Sequence, residues 1–188
     1  MSFYTASAYE NYGKMATSYV PFLRSFAESV QGTFPDTANL AAVDLGAGSG
    51  VIANALSKMG RLEVTAVDSS PHSLAKLENQ VKPVRRDIGN TGIVGPIHAI
   101  HAKDLFLSTL PLQELFTTIA PWVIQNTLFM LTYFIDTPGA WLTDEYARRA
   151  GWDTVGQGRW MPNAHEINAD WYKEFPALRV IKILQYTG

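Results

Sequence analysis

Three glycines at alternate positions, directly behind an apolar run, constrain the fold of this 188-residue chain more than any other feature. The run from Leu40 to Leu45 is apolar except for Asp44, as is typical of a strand covered on both faces of a parallel sheet. Gly46, Gly48 and Gly50 then let the backbone turn sharply and approach a ligand where a Cβ would collide. A helix is predicted to follow, so its first N–H groups face the same ligand. The pattern predicts a small-ligand site.

The segment Asp44-Leu45-Gly46-Ala47-Gly48-Ser49-Gly50 resembles motif I of the class I S-adenosylmethionine-dependent methyltransferases, which is an acidic residue, an apolar residue and then G-x-G-x-G. The resemblance covers roughly residues 9 to 136 and is specific for cofactor binding. It implies S-adenosylmethionine as the cofactor. The residues implied to hold it here are Asp44, Gly46, Ala47, Gly48 and Gly50.

A second match to the family follows the next predicted strand, residues 62–67, which ends at Asp68. The family uses an acid at this place to accept hydrogen bonds from both ribose hydroxyls. A carboxylate suits a vicinal diol because it offers two acceptor oxygens. The resemblance therefore implies that Asp68, with Ser69 beside it, binds the ribose.

Two weaker matches concern the adenine and the floor of the site. Asp87 and Ile88 follow a short third strand predicted around Val84, where the family places an acid beside the adenine amino group. Ser108 would close a fourth strand, predicted over Leu105 to Thr109, under the cofactor. Residues 104–115 resemble small-molecule methyltransferases of the tellurite-resistance type and lack the N-P-P-Y signature of enzymes that methylate bases.

The glycine loop also fits a dinucleotide-binding fold. The segment from Gly48 to Ala53 matches G-x-G-x-x-A, and Asp68 lies about 20 residues downstream, as that fold requires. Two observations favour the methyltransferase interpretation. Asp44 occupies a strand position where dinucleotide folds usually carry an apolar residue, and the chain is short for two mononucleotide halves plus a catalytic domain.

Strands alternating with helices predict an α/β fold with a doubly wound parallel sheet, of the Rossmann-like class I methyltransferase type. We expect one domain with residues 1–20 as an N-terminal arm or lid. Because the chain stops soon after the sixth predicted strand, the sheet edge is open to truncation there. The other predicted elements are helices at 21–30, 73–80, 111–123 and 141–149, loops at 89–104 and 150–168, and strands at 128–135 and 179–186.

The catalytic residues stay open, with two candidates. Tyr12 resembles a tyrosine in the arm of related enzymes, and its ring suits a sulfonium cation because cation–π attraction is worth about 0.5 to 2 kcal/mol. The alternative is an arm that packs its aromatic side chains on the sheet. His165 is a candidate general base, since free histidine titrates near neutral pH, or else an exposed loop residue.

Composition excludes several classes of function. The net charge is -2 and the sequence has no long basic run, so no nucleic-acid partner is expected. The absence of cysteine excludes disulfides, thiolate metal sites and a cysteine nucleophile. The longest nearly apolar run, residues 127–135, is far below the ~20 residues of a membrane span, so we expect a cytoplasmic protein. His72, His98 and His101 fit no metal spacing and are expected in exposed loops.

These features predict methyl transfer from S-adenosylmethionine to a small organic molecule. Alignment of the reactants can supply about 7 to 11 kcal/mol, so no nucleophilic residue is required. The aromatic and apolar segments 4–19 and 152–171 favour a neutral or aromatic acceptor. Three alternatives stay open: a non-methylating enzyme on the same fold, a macromolecular methyltransferase, and a non-catalytic cofactor-binding subunit. The oligomeric state cannot be derived from the sequence.

Overall fold

The computed structural model of the protein describes residues 6–70, 72–105, 112–134, 143–161 and 178–188. Four helices and seven strands lie in these ranges. The helices are α1 (Ala6–Thr33), α2 (Val51–Ser57), α3 (Leu112–Ile119) and α4 (Thr143–Arg149). The strands are β1 (Leu40–Leu45), β2 (Leu62–Val67), β3 (Lys82–Val84), β4 (Ile97–Lys103), β5 (Val123–Phe134), β6 (Trp152–Trp160) and β7 (Arg179–Tyr186).

The strands form one sheet in the order β3-β2-β1-β4-β5-β7-β6. The five strands from β3 to β5 are parallel to their neighbours, whereas β7 is antiparallel to both β5 and β6. This confirms the predicted α/β fold class. The sheet edge is not truncated, because the segment predicted as a sixth and last strand is the seventh and lies between β5 and β6.

Both faces of the sheet are covered, which explains why β1 is apolar on both sides. Helices α1 and α2 lie over one face. There, Leu23 and Leu56 of the helices belong to the same buried cluster as Ala42 and Met130 of the strands. On the other face, Leu115 and Ala147 belong to the cluster that also contains strand residues such as Val43, Ile100 and Phe129. No helix in the described ranges is long and apolar enough to cross a membrane.

Helix α1 joins the predicted arm and the predicted helix at residues 21–30 into one element of 28 residues. Pro21 lies inside it, where the missing N–H removes only one hydrogen bond of the helix ladder. At the other end, the Arg61 guanidinium donates to the carbonyl oxygens of Gln31, Phe34, Pro35 and Thr37. Gln31 lies in the last turn of α1, whose carbonyls a helix end leaves without partners, and the other three carbonyls follow the helix. Arg61 therefore fixes the end of α1 to the start of β2.

The predicted loop at residues 89–104 is wrong in part, because β4 lies within it. The fourth strand predicted at Leu105 to Thr109 lies, apart from Leu105, outside the described residues. β4 ends at Lys103, and Ser108 lies outside the described residues. His98 and His101 lie in β4 and are buried, contrary to the expected exposed positions, whereas His72 is exposed as expected. β4 is buried on both faces and so has no alternating pattern, and its two histidines make the segment look polar in the sequence.

The helix predicted at residues 73–80 is also wrong, since turns occupy the described residues there. Leu74 has a positive φ of 59°, and its N–H donates to the Gly48 carbonyl oxygen at 2.6 Å. The Lys76 N–H donates to the Ser49 carbonyl oxygen at 3.0 Å. Because the glycine loop takes these donors, they cannot form a helix ladder.

Residues 152–160, predicted as part of a polar loop, form β6. Gly156 and Gly158 lower the strand propensity of this segment, but both lie opposite residues of β7. A Cβ at Gly156 would lie 3.3 Å from Ile183 Cγ1, so the glycine allows the two strands to pack closely.

Candidate functional site

The glycine loop lies at the carboxyl end of β1, at the same edge of the sheet as the carboxyl ends of β2 and β4. Gly46, Gly48 and Gly50 have φ values of 66°, 55° and 90°, in the left-handed region that favours glycine. A Cβ at Gly46 would also lie 2.6 Å from Leu105 Cδ1. The sharp turn predicted from the glycine spacing is therefore present.

Asp68, at the end of β2, connects this loop to the next turn. Its Oδ2 accepts the Gly48 N–H at 2.9 Å, and its Oδ1 accepts the Ser70 N–H at 2.8 Å. Burial raises the pKa of Asp68 above its usual value, and the two backbone hydrogen bonds oppose that shift. The Ser73 hydroxyl opposes the shift as well, and because a carboxylate has about four acceptor positions, Asp68 keeps acceptor capacity for a ligand.

The segment after β2 braces the glycine loop from the outside. Besides the bonds of Leu74 and Lys76 to the loop carbonyls, Asn54 of α2 binds this segment twice. Its Nδ2 donates to the Lys76 carbonyl oxygen at 2.6 Å, and its Oδ1 accepts the Glu78 N–H at 2.9 Å. The side chain of Leu77 lies over Gly50. The loop conformation is thus fixed by the protein itself.

Asp44 is buried within β1, beside the loop, and is only 1% exposed. Its Oδ1 lies 2.7 Å from Nδ1 of His101, the residue opposite it in β4. His101 Nε2 lies 3.3 Å from the hydroxyl of Tyr19, which is hydrogen bonded to the hydroxyl of Thr132. The other carboxylate oxygen, Asp44 Oδ2, is buried and has no hydrogen-bond partner among the described residues.

A buried group of charged residues lies at the carboxyl end of β4. Asp104 accepts from Lys103 Nζ at 2.6 Å and from Arg179 Nε at 3.0 Å to each oxygen. The Arg179 guanidinium carbon lies 4.2 Å from the centroid of the Phe134 ring and 5.0 Å from that of Trp160. Burial lowers the pKa of Lys103, whereas the Asp104 charge raises it. Charged as well as aromatic side chains therefore lie at this edge.

The structure brings part of the predicted site together. Asp44 lies at the base of the loop, and Asp68 is hydrogen bonded to Gly48. Ser69 and Asp87 are exposed, and Asp87 caps a short 3-10 turn through the Gly89 N–H at 3.3 Å. Ile88 is buried in the cluster that includes Leu45, Val67 and Leu105. Tyr12 lies in α1, but its side chain is outside the described part, and Ser108 and His165 lie outside it altogether.

The sequence did not predict His101, Tyr19, Lys103, Asp104 or Arg179 as parts of this edge. Four of them make contacts with residues more than 70 positions away, which no local pattern reveals. The strand that carries His101 had one local signal, a short run of β-branched and small residues directly after Gly95-Pro96. In the described ranges, no group of His, Asp and Glu side chains could hold a metal ion.

Comparison with protein-family models and with curated protein sequences finds no significant match. Solved structures do match. A candidate sarcosine dimethylglycine methyltransferase from Galdieria sulphuraria superposes with a TM-score of 0.69 at 13% identity, over 89% of this chain and 86% of that one. The (4+2)-cyclase SpnF superposes with a TM-score of 0.67 at 13% identity, over 87% and 80% of the two chains. The N-methyltransferase NodS from Bradyrhizobium japonicum, in complex with S-adenosyl-L-homocysteine, gives 0.64 at 8% identity, over 87% and 86%.

At identities this low, the superpositions establish a common fold and nothing further. The chain thus has the Rossmann-like fold found in these two methyltransferases and one cyclase, with a seven-stranded sheet and the glycine loop at the carboxyl end of β1. None of the three is described as a tellurite-resistance enzyme, so that subfamily stays a prediction.

Proposed function

We propose that the protein is an S-adenosylmethionine-dependent enzyme that transfers a methyl group to a small organic molecule. The observation that carries this proposal is the arrangement of Asp44, the left-handed glycine loop and Asp68 at one edge of the sheet. Two carboxylates flank a backbone cradle with no side chains at its turning points. Open sheets of this kind bind ligands in the crevice outside the carboxyl ends of their strands.

The residues present fit the proposed cofactor in three respects. The glycine loop turns at three left-handed positions that carry no side chain, at the carboxyl end of β1. Asp68 has acceptor capacity left for the two ribose hydroxyls. Asp44 Oδ2 is a buried acceptor without a partner in the described ranges, which suits the ammonium group of the methionine part.

The bound cofactor supplies an activated methyl group on a sulfonium. The protein then has to bind the cofactor and the acceptor, align them, and exclude water from the site. Asp68 and the loop backbone fix the nucleoside, while Asp44 fixes the charged end. The adenine contacts of Asp87 and Ile88 remain part of the proposal, as does the placement of residues 1–20 as a lid on a single domain. Alignment alone can supply about 7 to 11 kcal/mol, so the proposal assigns no general base.

The proposed acceptor is a small organic molecule. Aromatic rings of Trp160 and Phe134 lie at the edge where an acceptor would approach, next to Lys103, Asp104 and Arg179. An acceptor with an aromatic or apolar body suits the rings, and a polar group on it suits the charged residues. The likeness to SpnF supports a second candidate, a non-methylating reaction on the same fold.

Calorimetric titration with S-adenosylhomocysteine and with NAD tests the cofactor. We expect binding of the adenosyl compound and none of NAD, and the reverse result would contradict the proposal. Asp68→Ala should weaken binding at least tenfold, because each buried hydroxyl left unpaired costs about 1 to 3 kcal/mol. Asp153→Ala is the matched control, since Asp153 is exposed in β6 away from the loop. Equal affinity of the two variants would show that Asp68 does not hold the ribose.

Incubation with methyl-labelled S-adenosylmethionine tests the reaction. A panel of small amines, phenols and carboxylic acids is compared with bulk tRNA and with protein at physiological salt. Label in a small molecule supports the proposal. Transfer only to tRNA or protein contradicts the proposed acceptor class, and cofactor binding without transfer to any of them favours the non-methylating enzyme.

A further inference from the structure

The bond between Asp44 and His101 assigns the direction of a longer chain of hydrogen bonds. Their strands are adjacent, the two residues are partners in register, and each is 1% exposed. A carboxylate only accepts, so His101 Nδ1 carries the proton and donates to Asp44 Oδ1. When the ring is in its neutral form, Nε2 is unprotonated and accepts from its own neighbour.

That neighbour is the hydroxyl of Tyr19, which donates to His101 Nε2. Thr132 in turn donates its hydroxyl to the Tyr19 oxygen. Both residues are fully buried, and burial raises the pKa of Tyr19, so its hydroxyl stays protonated and remains a donor. All three donors of this chain point towards the Asp44 carboxylate, an arrangement in which each bond polarises the next.

This chain of hydrogen bonds connects the base of the glycine loop to α1. Asp44 is two residues before Gly46, at the base of the glycine loop, and Tyr19 belongs to α1. The Tyr19 ring also packs against Trp160, with ring centroids 4.9 Å apart. Tyr12 lies seven residues earlier in the same helix, about 10 Å along its axis at ~1.5 Å per residue. The packing position of Tyr19 therefore contributes to where the first turns of α1 lie.

The cost of burying Asp44 sets the balance between a closed state, in which Tyr19 is packed as described above, and an open state, in which that packing is lost. A buried carboxylate oxygen without a hydrogen-bond donor favours any alternative in which water reaches it. His101, which contacts Asp44, is covered by Tyr19 of α1, so from that side water reaches the buried pair only when the packing around Tyr19 opens. A cation that reaches Asp44 Oδ2 from the side of the glycine loop, while Tyr19 stays packed, removes the reason for opening, so such a ligand favours the closed state.

We propose that the chain of hydrogen bonds through Asp44, His101, Tyr19 and Thr132 couples occupancy of the cofactor site to the packing of α1 on the sheet. His101 and Tyr19 are positioning residues that do not touch the ligand. This inference rests on the proposed function. Coupling is reciprocal: packing of α1 on the sheet raises the affinity for the ligand by the same factor by which the bound ligand shifts α1 towards the packed state. The ligand group that matters is a cation at Asp44 Oδ2.

Amide hydrogen exchange of the full chain tests the coupling without any variant. The ligands are S-adenosylhomocysteine, which carries the ammonium group, and methylthioadenosine, which has the same nucleoside and lacks that group. We expect S-adenosylhomocysteine to slow exchange along α1 and methylthioadenosine to leave α1 unchanged while protecting the glycine loop. Equal protection of α1 by both ligands overturns the inference.

Two tyrosine variants test the reciprocal effect. Tyr19→Phe removes only the hydroxyl, and Tyr186→Phe is the matched control, since Tyr186 lies at the end of β7 and packs on Trp152. Tyr19→Phe should weaken S-adenosylhomocysteine binding about tenfold, within the usual range of coupling effects, and should abolish the ligand-dependent protection of α1. Thr132→Val serves the same purpose if Tyr19→Phe does not fold.

The outcomes separate the two proposals. Unchanged affinity and unchanged protection in a folded Tyr19→Phe variant overturn the coupling and leave the proposed function standing. No binding of S-adenosylhomocysteine to the unaltered protein overturns both.

Discussion

Substitution of Gly46 by alanine measures how far the backbone itself defines the glycine loop. At a φ of 66° an L-residue costs about 1 to 2 kcal/mol relative to glycine. The added Cβ would lie 2.6 Å from Leu105 Cδ1, the far end of a flexible side chain. Leu105 can move, at about 0.5 to 1.5 kcal/mol for an off-rotamer angle. A less flexible unfolded chain returns about 0.4 to 1 kcal/mol. We therefore expect Gly46→Ala to lower the free energy of unfolding by about 1 to 3 kcal/mol.

Urea unfolding followed by circular dichroism measures this change, with S-adenosylhomocysteine affinity as a second readout. The matched control is Gly32→Ala in α1, where φ is not positive and a Cβ would meet nothing within 4 Å. That control should gain about 0.5 to 1 kcal/mol, because alanine is the better helix former. The two alanine substitutions thus have opposite expected signs.

A double-mutant cycle with Leu105→Ala separates the two contributions to the loss at Gly46. If the contact with Leu105 matters, the loss caused by Gly46→Ala becomes smaller in the Leu105→Ala background. If the dihedral angle dominates, the loss is the same in both backgrounds. A Gly46→Ala protein as stable as the unaltered chain would refute the whole argument, since neither the dihedral angle nor the contact would then have its expected cost.

Two further predictions concern stability. His98 Nδ1 accepts the Ala41 N–H at 3.0 Å, and burial lowers the pKa of His98 below its ordinary value of 6.5. As pH falls, the unfolded chain binds this proton before the folded protein does, so the free energy of unfolding falls below about pH 6.5. His98→Gln should lose less stability than the unaltered protein between pH 7 and pH 5. Urea unfolding that shows the same loss in both proteins over this pH range would contradict this. Arg61→Ala should lower the free energy of unfolding by about 1 to 3 kcal/mol because four carbonyls lose their donor. Arg61→Lys should restore only part of it, and a thermal melt of Arg61→Ala identical to that of the unaltered protein would show that water replaces the guanidinium at no cost.

The sequence predicted the elements whose causes are local. β1, the glycine turn and α2 follow from neighbouring residues, because an apolar run, three positions without a Cβ and a helical segment act where they stand. β2 and the acid after it are equally local. Asp44, the loop and Asp68 therefore lie at the strand ends where the sequence predicted them, and their role as a cofactor site stays a prediction.

The errors arise where distant partners decide. β4 carries two histidines that look polar, and only Asp44 and the Ala41 N–H, each 57 positions away, make them suitable for a buried strand. The segment after β2 has a helix-like composition, but the glycine-loop carbonyls take its N–H groups. β6 has two glycines, and its strand conformation depends on pairing with β7. None of these partners can be identified from local pattern.

The position of β7 between β5 and β6 has a consequence for synthesis on the ribosome. β6 is made before β7, and β7 is its only partner among the strands of the described residues. A nascent chain that has reached residue 160 can pair β1 to β5, but it exposes β6 with both of its edges unpaired. Exposed strand edges are sites of aggregation. A chaperone that shields this one strand during translation should therefore raise the yield of folded protein more than one that acts on the parallel half of the sheet.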